Sequence, residues 1–600
     1  MEPITSEPLI SPEKECDIVM KGGITSGVVY PRAVCELARE YRLRSIGGTS
    51  AGAIAAGLTA AAELRRQRGS AEGFLALSKL PGFLQESLTS LFQPAPATRP
   101  LFEVLLTWLQ PAGVLSKVAR TIGKVLRFHA PAFLGGTLAG ALLFLLLVAA
   151  PSAGLRPVPA VLVLLLFAGA GGLVLAVVSG LVSGIRAIEA TSYGLCPGLG
   201  TDEKHPALTT WLADTLDQIA GKRADEGPLT FGDLWKGTTQ DDPALAENEP
   251  SKRAVDLQVM TTNLTHGVPE RLPFKSRLFF FDPEELRKIF PERIVCWMEK
   301  NPRSPAAPHG KSDLKIPANL RRLPDPAHLP VVVAARMSLS FPILISAVPL
   351  YAVDRAWNPV TNAWDAWFAR CWFSDGGIGS NFPVHFFDHL VPSRPTFGIN
   401  LRPFPPGRKE NASDQSQNVW FPTKSGQGAT PTFTEIKGLF SFLVTILDTM
   451  QNWVDNTQMR LPGYRDRVVH VHLTDKEGGM NLTMPANVIK ALTERGSAAG
   501  RKLATEFDWD SHRWTRYRTA MDQLRDKLGS MDRVYQKGLF SFLESRSFNA
   551  APHAMYGSKE ALLDLTNRLM EVGSDLQEQG KLFSTDPPAP VPDLRIMPQR

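Results

Sequence analysis

The sequence predicts an α/β fold: a three-layer α/β/α sandwich on a mainly parallel central sheet, with an inserted transmembrane helical hairpin and a helical C-terminal region. Three observations predict it. Residues 17–52 alternate strand and helix patterns through two glycine-rich turns. Two long runs, 130–150 and 158–185, carry no charge. A D-G-G turn follows a strand pattern far downstream, at Asp375-Gly376-Gly377.

In chain order, residues 1–14 form a polar arm. Asp17 to Met20 (DIVM) reads as a short buried strand. Lys21 to Gly27 is a glycine turn, and a helix opens near Pro31 with Val34, Leu37 and Ala38 on one face. Leu43 to Ile46 reads as a second strand, Gly47 to Gly52 as a second tight turn, and an Ala-rich helix follows. Such β-α-β crossovers are right-handed and yield adjacent parallel strands. Both glycine loops are therefore expected side by side at the carboxyl edge of one sheet, where α/β folds place their sites.

The first part of this domain spans 15–75, and an insertion spans 76–198. At about 1.5 Å per residue, each uncharged run can cross a hydrocarbon core of about 30 Å. Gly169, Gly171, Gly172, Gly180 and Gly184 suit close helix packing in lipid. Lys117, Arg120, Lys124 and Arg127 precede the hairpin at helical spacing, with Val118, Ile122 and Val125 between them, as in a basic helix lying on an anionic membrane surface. Their position outside the hairpin predicts a membrane protein whose soluble flanks, the α/β domain included, face the cytoplasm. The domain resumes over 199–475, with strands at Arg370–Ser374, Thr396–Leu401 and Val468–Leu473. A helical C-terminal region is expected over 476–600.

The 600 residues hold 65 Lys+Arg and 59 Asp+Glu, a net charge of +6. Hydrophobic residues at 44% can bury a large core, which excludes whole-chain disorder. The small cationic surplus does not indicate nucleic acid, and it is compatible with an anionic lipid surface. Five widely spaced cysteines with no CxxC pair argue against a disulfide framework or zinc site, and the N-terminal stretch has no secretory-signal pattern.

The chemistry-bearing residues are few. Gly48-Thr49-Ser50-Ala51-Gly52 fits G-x-S-x-G, in which small residues let a serine sit on a sharp strand-to-helix turn. A helix N-terminus there favours developing negative charge. Gly22, Gly23 and Gly27 form a loop whose N–H groups can point into a shared cavity, as an oxyanion hole or a phosphate-binding turn requires. The loop matches neither phosphate-loop nor dinucleotide fingerprints, so a nucleotide site is the weaker reading. Asp375 is a candidate base for Ser50, because burial raises a carboxylate pKa toward a useful value. Read alone, D-G-G is also an ordinary turn. His385, His389, His470 and His472 follow Asp375, so a Ser-Asp-His order is also possible.

Together these residues resemble the patatin-like phospholipases, which order a glycine-rich oxyanion loop, G-x-S-x-G and a distant D-G-G or D-G-A. The stretches TFGDL (230–234), RMSLSFP (336–342) and Asn381-Phe382-Pro383 are similar to that family too. The resemblance covers about residues 15–400. It implies a lipid acyl hydrolase with a Ser50–Asp375 dyad and no histidine. It also implies an oxyanion hole from Gly22, Gly23, Ile24 and Ala51, with Gly27, Gly48, Gly52, Gly376 and Gly377 as motif glycines. Ile24 and Ser26 stand where the family usually has a glycine and a basic residue. No cofactor or metal is expected. The expected partners are a membrane and its lipid substrate. The rival expectations are an esterase for soluble substrates and a non-catalytic membrane scaffold with a lipase-like fold.

Overall fold

The computed structural model of the chain describes the protein apart from 1–4, 110–112, 149–156, 201–204, 238–248, 275–278, 304–313, 424–435, 546–558, 579–600 and the short gaps 6, 24, 437, 475–476, 480, 540 and 542–544. Strand β1 (Lys14–Met20) runs through the glycine loop into helix α1 (Tyr30–Leu37). Strand β2 (Tyr41–Gly48) leads through the G-x-S-x-G turn into α2 (Ala51–Gln67), followed by α3 (Glu72–Ser87). Four helices make the insertion: α4 (Arg99–Leu109), α5 (Val114–Phe128), α6 (Ala130–Val148) and α7 (Pro157–Ala190). The chain returns through β3 (Gly194–Cys196), α8 (Leu208–Ala220), β4 (Asp256–Asn263), β5 (Val268–Leu272), β6 (Phe280–Phe281) and β7 (Arg321–Arg322). Next come α9 (Val331–Ser338), β8 (Ile343–Ile345), β9 (Val348–Asn358), β10 (Ala363–Ser374), β11 (Thr396–Pro403) and β12 (Val419–Trp420). After these follow α10 (Gly438–Gln458), β13 (Val468–Leu473), α11 (Ala486–Thr505), α12 (Trp509–Val534) and α13 (Lys559–Glu578).

The fold is mixed α/β around one large sheet ordered β12-β13-β11-β1-β2-β4-β10-β9-β6-β7, with β5 on β4. Its centre, β13-β11-β1-β2-β4, is parallel, whereas β10, β9 and their outer neighbours are antiparallel. Central strands are buried on both faces, which explains the near-continuous apolar run of β1. Alternate residues of β1 serve two apolar clusters. Ile18 and Met20 join Ile46 of β2 and the helical Ala56, Leu216 and Leu492, while Val19 joins Met260, Phe382, Phe386 and Val468. Alanines let α2 lie close to the sheet, and its buried Arg66 donates to the carbonyls of Ala38 and Tyr41 at 2.6 and 3.0 Å, tying the end of α1 to the start of β2.

The two uncharged runs are the helices α6 and α7, both long and apolar enough to cross a membrane. They pack on each other through glycines: a Cβ on Gly140 would lie 2.2 Å from the Phe167 carbonyl oxygen, and one on Gly136 2.3 Å from that of Gly171. Their leucines and valines, Leu142 and Leu166 among them, face outward. The expected basic amphipathic helix is α5, with Val114, Leu115, Val118 and Ile122 exposed.

The expected division at 475/476 is not a structural boundary. Helix α11 belongs to the core, because Leu492 and Leu503 join the main apolar cluster and α11 packs along α1. The contact is backbone-close: a Cβ on Gly496 or Gly500 would lie 2.1 Å from the carbonyl oxygen of Val29 or Ala33. Ser497 Oγ also bonds the Glu36 carboxylate across 461 residues of sequence. The start of the insertion shifts likewise, since α3 packs on α2 and α8 as part of the domain. A Gly500→Ala substitution must push α11 off α1. It is expected to cost about 2–3 kcal/mol and to lower the melting temperature by several degrees, read by a thermal melt of the full chain in detergent.

Candidate active site

The Ser50 turn is set by backbone crowding. A Cβ on Gly48 would lie 2.4 Å from the Gly52 carbonyl oxygen, and one on Gly52 2.3 Å from that of Met20. The ends of β1 and β2 and the first turn of α2 thus meet with room for glycine alone at both positions. Between them Ser50 takes φ 54° and ψ −128°, a conformation that non-glycine residues rarely hold. Its N–H donates to Ser338 Oγ at 3.0 Å, and the Thr49 hydroxyl donates to the Asn381 carbonyl at 2.9 Å. Ser50 stands directly before the 17-residue helix α2, whose first amides have no intrahelical acceptor.

Asp375 is delivered to the same edge by β10. Its N–H donates to the Ser340 carbonyl at 2.9 Å, and the Thr262 hydroxyl donates to its carbonyl, also at 2.9 Å. Gly377 N–H donates to Oδ1 at 2.7 Å and fixes the carboxyl. Gly376 has space for glycine alone, since a Cβ would lie 2.1 Å from the Met260 carbonyl oxygen. Asp375 is 4% exposed and Ser50 3%. Burial pushes the Asp375 pKa up to about 7, and the Ser50 hydroxyl and Gly377 N–H partly oppose that rise. Oδ2 has no partner at ordinary hydrogen-bond geometry, so the Ser50 contact is loose in this conformation.

The glycine loop needs one correction. Gly22 N–H donates to the Asn381 carbonyl at 2.8 Å, so it is not free to hold an oxyanion. Its glycine is required for another reason: a Cβ would lie 2.0 Å from Asn381 Oδ1 and 3.2 Å from Ser50 Cβ. The N–H groups of Gly23 and Ala51 have no acceptor among the described residues; Ala51 directly follows Ser50 at the start of α2, and Gly23 follows Gly22, whose notional Cβ approaches Ser50. Ile24 lies outside the described residues. Gly27 packs on the Ala51 side chain, with a notional Cβ 3.0 Å away, and Gly377 lies against Asn381 Oδ1 in the same way at 2.9 Å.

The histidines are engaged elsewhere. His470 meets Asn400 at 3.2 Å, His472 meets the Asn418 carbonyl at 3.3 Å, His385 interacts with Gln458, and His389 is exposed. Burial and nearby arginines hold His385 and His472 down at about 4, a poor range for a base at neutral pH. A surface cavity of about 580 Å³ lies elsewhere, lined by Asp214, Asp217, Lys222, Arg293, Trp297 and Lys300 among others. Several of its charges pair with one another, Arg293 with both aspartates.

Several positioning residues escaped the sequence reading. Asp455, on α10, accepts from Ser380 Oγ at 2.6 Å, Asn381 N at 2.7 Å and Phe382 N at 2.8 Å. Burial raises its pKa, and Ser380 and the Lys21 ammonium oppose that rise. Tyr30 donates its hydroxyl to the Lys21 carbonyl and anchors the glycine loop from below. Arg336, fully buried on α9, donates to Ser340 Oγ at 2.7 Å and to the Ser346 and Pro197 carbonyls at 3.0 and 3.1 Å; burial lowers its pKa to about 9. The stretches around Arg336 and Asn381 stand out in the sequence, but their partners lie far away in it. Replacing Asp455 by Ala strands three donors and frees Asn381. We expect a stability loss of about 2–3 kcal/mol, read as a lower melting temperature of the full chain, with Asp455→Asn intermediate.

No protein-family model matches the chain. VipD from Legionella pneumophila, as seen in its crystal structure, aligns over 95% of this chain and 86% of that one at 13% identity and a TM-score of 0.27, too slight a likeness to carry an argument. The RpoH suppressor of Rhizobium meliloti (strain 1021) is 35% identical over an alignment that covers 98% of this chain and 99% of that protein. That name assigns no reaction, and the extent of the match shows that the chain belongs to the RpoH suppressor family.

Proposed function

We propose that the chain is a membrane-anchored lipid acyl hydrolase with a patatin-like catalytic domain. One observation carries the reading: a serine held at positive φ on a strand-to-helix turn adjoins a buried aspartate whose pKa is raised to about 7. The three ordered motifs meeting at one carboxyl edge support the patatin-like assignment. In the proposed reaction Ser50 Oγ attacks an acyl ester carbonyl and Asp375 takes the hydroxyl proton. The N–H groups of Gly23 and Ala51, with the N-terminus of α2 behind them, hold the tetrahedral oxyanion. Collapse expels the alcohol with the proton from Asp375. Water, deprotonated by Asp375, then attacks the acyl-Ser50 ester and releases the fatty acid. Helices α6 and α7 support a bilayer anchor, and the basic face of α5 supports a cytoplasmic orientation.

The first test is fatty-acid release from phospholipid vesicles by the full chain beside Ser50→Ala. Release lost by at least about 10³-fold in the variant is expected. Equal release from both would remove the assignment, and release from neither would favour a scaffold. The pH profile follows from Asp375. The base works when deprotonated, so kcat/KM should rise through about pH 7 and level off above it.

The same group predicts a stability trade. Its folded-state pKa lies above the unfolded value of about 3.9, so its contribution is fully present below about pH 4 and is lost as pH rises through about 7. Asp375→Asn should therefore abolish turnover yet raise the melting temperature at pH 8, by a stability gain of about 2–4 kcal/mol. A lower melting temperature at pH 8 would count against a strained buried carboxylate.

A further inference from the structure

We propose that the β9–β10 hairpin is a second membrane-contact element, whose aromatic face lies in the headgroup region of the bilayer that α6 and α7 cross. The inference rests on the reading that those helices span a membrane. The outer part of the hairpin leaves Trp357 47%, Trp364 64%, Trp367 43% and Val360 92% exposed. Soluble surfaces seldom cluster large aromatics in this way without a purpose.

The register shows how they are arranged. Trp364 lies opposite Trp357, Ala366 opposite Arg355, Phe368 opposite Val353, Arg370 opposite Tyr351 and Trp372 opposite Pro349. Strand alternation puts all ten on one face, with Trp367 on the other. Trp357 and Trp364 meet edge to face at 5.6 Å. Arg370 lies over both Tyr351 and Trp372, 5.4 Å from each ring centre. From Trp364 to Trp372 this face runs about 27 Å at about 3.4 Å per residue. Its inner part is covered, with Phe368 on the buried Phe280 and Tyr351 and Arg370 bonded to Glu285, so the open aromatics are Trp357 and Trp364 of the outer part.

Its base is joined to the end of α7. Trp372 contacts Tyr193 edge to face at 4.9 Å, and Tyr193 stands three residues beyond Ala190, the last residue of α7. Ser192 and Tyr193 have positive φ (56° and 62°), as does the β-branched, exposed Ile343 (68°), which pairs with Gly194. The backbone holds disfavoured conformations where Tyr193 and Ile343 are presented to the outside. The base of the hairpin is thus joined to the residues that follow α7, while its outer aromatics extend away from them. Tryptophan and tyrosine concentrate at that depth, because their rings are apolar and their N–H and O–H groups are polar. Arg355 on the same face suits lipid phosphates. These features commit the face to lipid rather than to a second copy of the chain. Strand β10 ends at Ser374, so the arm runs unbroken into Asp375. Seating the arm would fix the tilt of the catalytic edge against the membrane.

The test uses the full chain, with Cys296→Ser to remove the one cysteine that is not buried. A Val360→Cys variant carries an environment-sensitive fluorophore and is reconstituted in phosphatidylcholine/phosphatidylglycerol vesicles doped with lipids bearing a shallow nitroxide. At least about twofold quenching is expected, reduced when Trp357 and Trp364 are both changed to Ser. Water-like emission without quenching overturns the proposal. Blue-shifted emission without quenching also overturns it, since protein would then cover the arm. A label at Leu166→Cys on α7, with a deep nitroxide, reports separately on the spanning reading. Quenching there and none at Val360 sinks the arm alone, whereas quenching at Val360 and none at Leu166 keeps the arm as a peripheral contact and removes the spanning helices.

Discussion

The arrangement of the site depends on one steric constraint, the convergence of three backbones where β1 ends, β2 ends and α2 begins. Gly48 faces the carbonyl of Gly52, and Gly52 faces that of Met20, at separations that leave no room for a β-carbon. With the helix start pressed against the neighbouring strand end, the intervening residues cannot turn gradually. Ser50 must absorb the change of direction in a single disfavoured conformation. The strain is held by distant partners: Ser338 on the Ser50 amide and the Asn381 carbonyl on Thr49. The same close approach sets Gly22 beside Ser50, so the glycine loop and the serine turn are one assembly.

A second constraint is dielectric. Asp375 is buried with a single backbone donor on Oδ1, which leaves its ionised form undercompensated. A fold selected for stability alone would pair that carboxylate or replace it. Asp455, also buried, shows the contrast: it receives three donors and has Lys21 nearby, and it serves as a bracket for the Ser380–Phe382 loop. Burial raises the pKa of both carboxyls, and the larger set of donors around Asp455, with Lys21, opposes that rise. The one with fewer donors, Asp375, adjoins the serine.

The features legible in the sequence are local. G-x-S-x-G sits between a strand pattern and a helix pattern, D-G-G follows a strand, and the uncharged runs have the length of spanning helices. The illegible features depend on contacts between distant segments. Gly22 reads as an oxyanion donor because nothing near it in the chain shows that the Asn381 carbonyl occupies its N–H; Asn381 also receives Thr49 across 332 residues. A domain end at 475/476 follows from a run of helical patterns, but Gly496 and Gly500 dock α11 on α1 at backbone distance. The antiparallel flank is hidden for a different reason. In β9 and β10 apolar and polar residues occupy both faces of the arm, so the period-two signal that marks a half-buried strand is blurred.

The insertion is coupled to the site more tightly than its length suggests. Helix α7 ends in a turn held by the Tyr193 amide on the Ile188 carbonyl, and Ser346 donates to the Thr191 carbonyl. Strand β3 then pairs with β8. Arg336 clamps the far side by donating to the Pro197 and Ser346 carbonyls, and a further donor holds Ser340, whose carbonyl accepts the Asp375 amide. A guanidinium presents several donors in a rigid plane, so this clamp fixes direction as well as distance. Its burial lowers its pKa only to about 9, so it stays charged at neutral pH and the clamp persists across the range in which Asp375 titrates. An apolar helix pair joined by a flexible linker would leave the Ser50–Asp375 edge in no fixed orientation. Here the hydrogen-bonded path from the last turn of α7 to the amide of Asp375 contains no such linker, so the direction in which Ser50 and Asp375 face is fixed relative to α7.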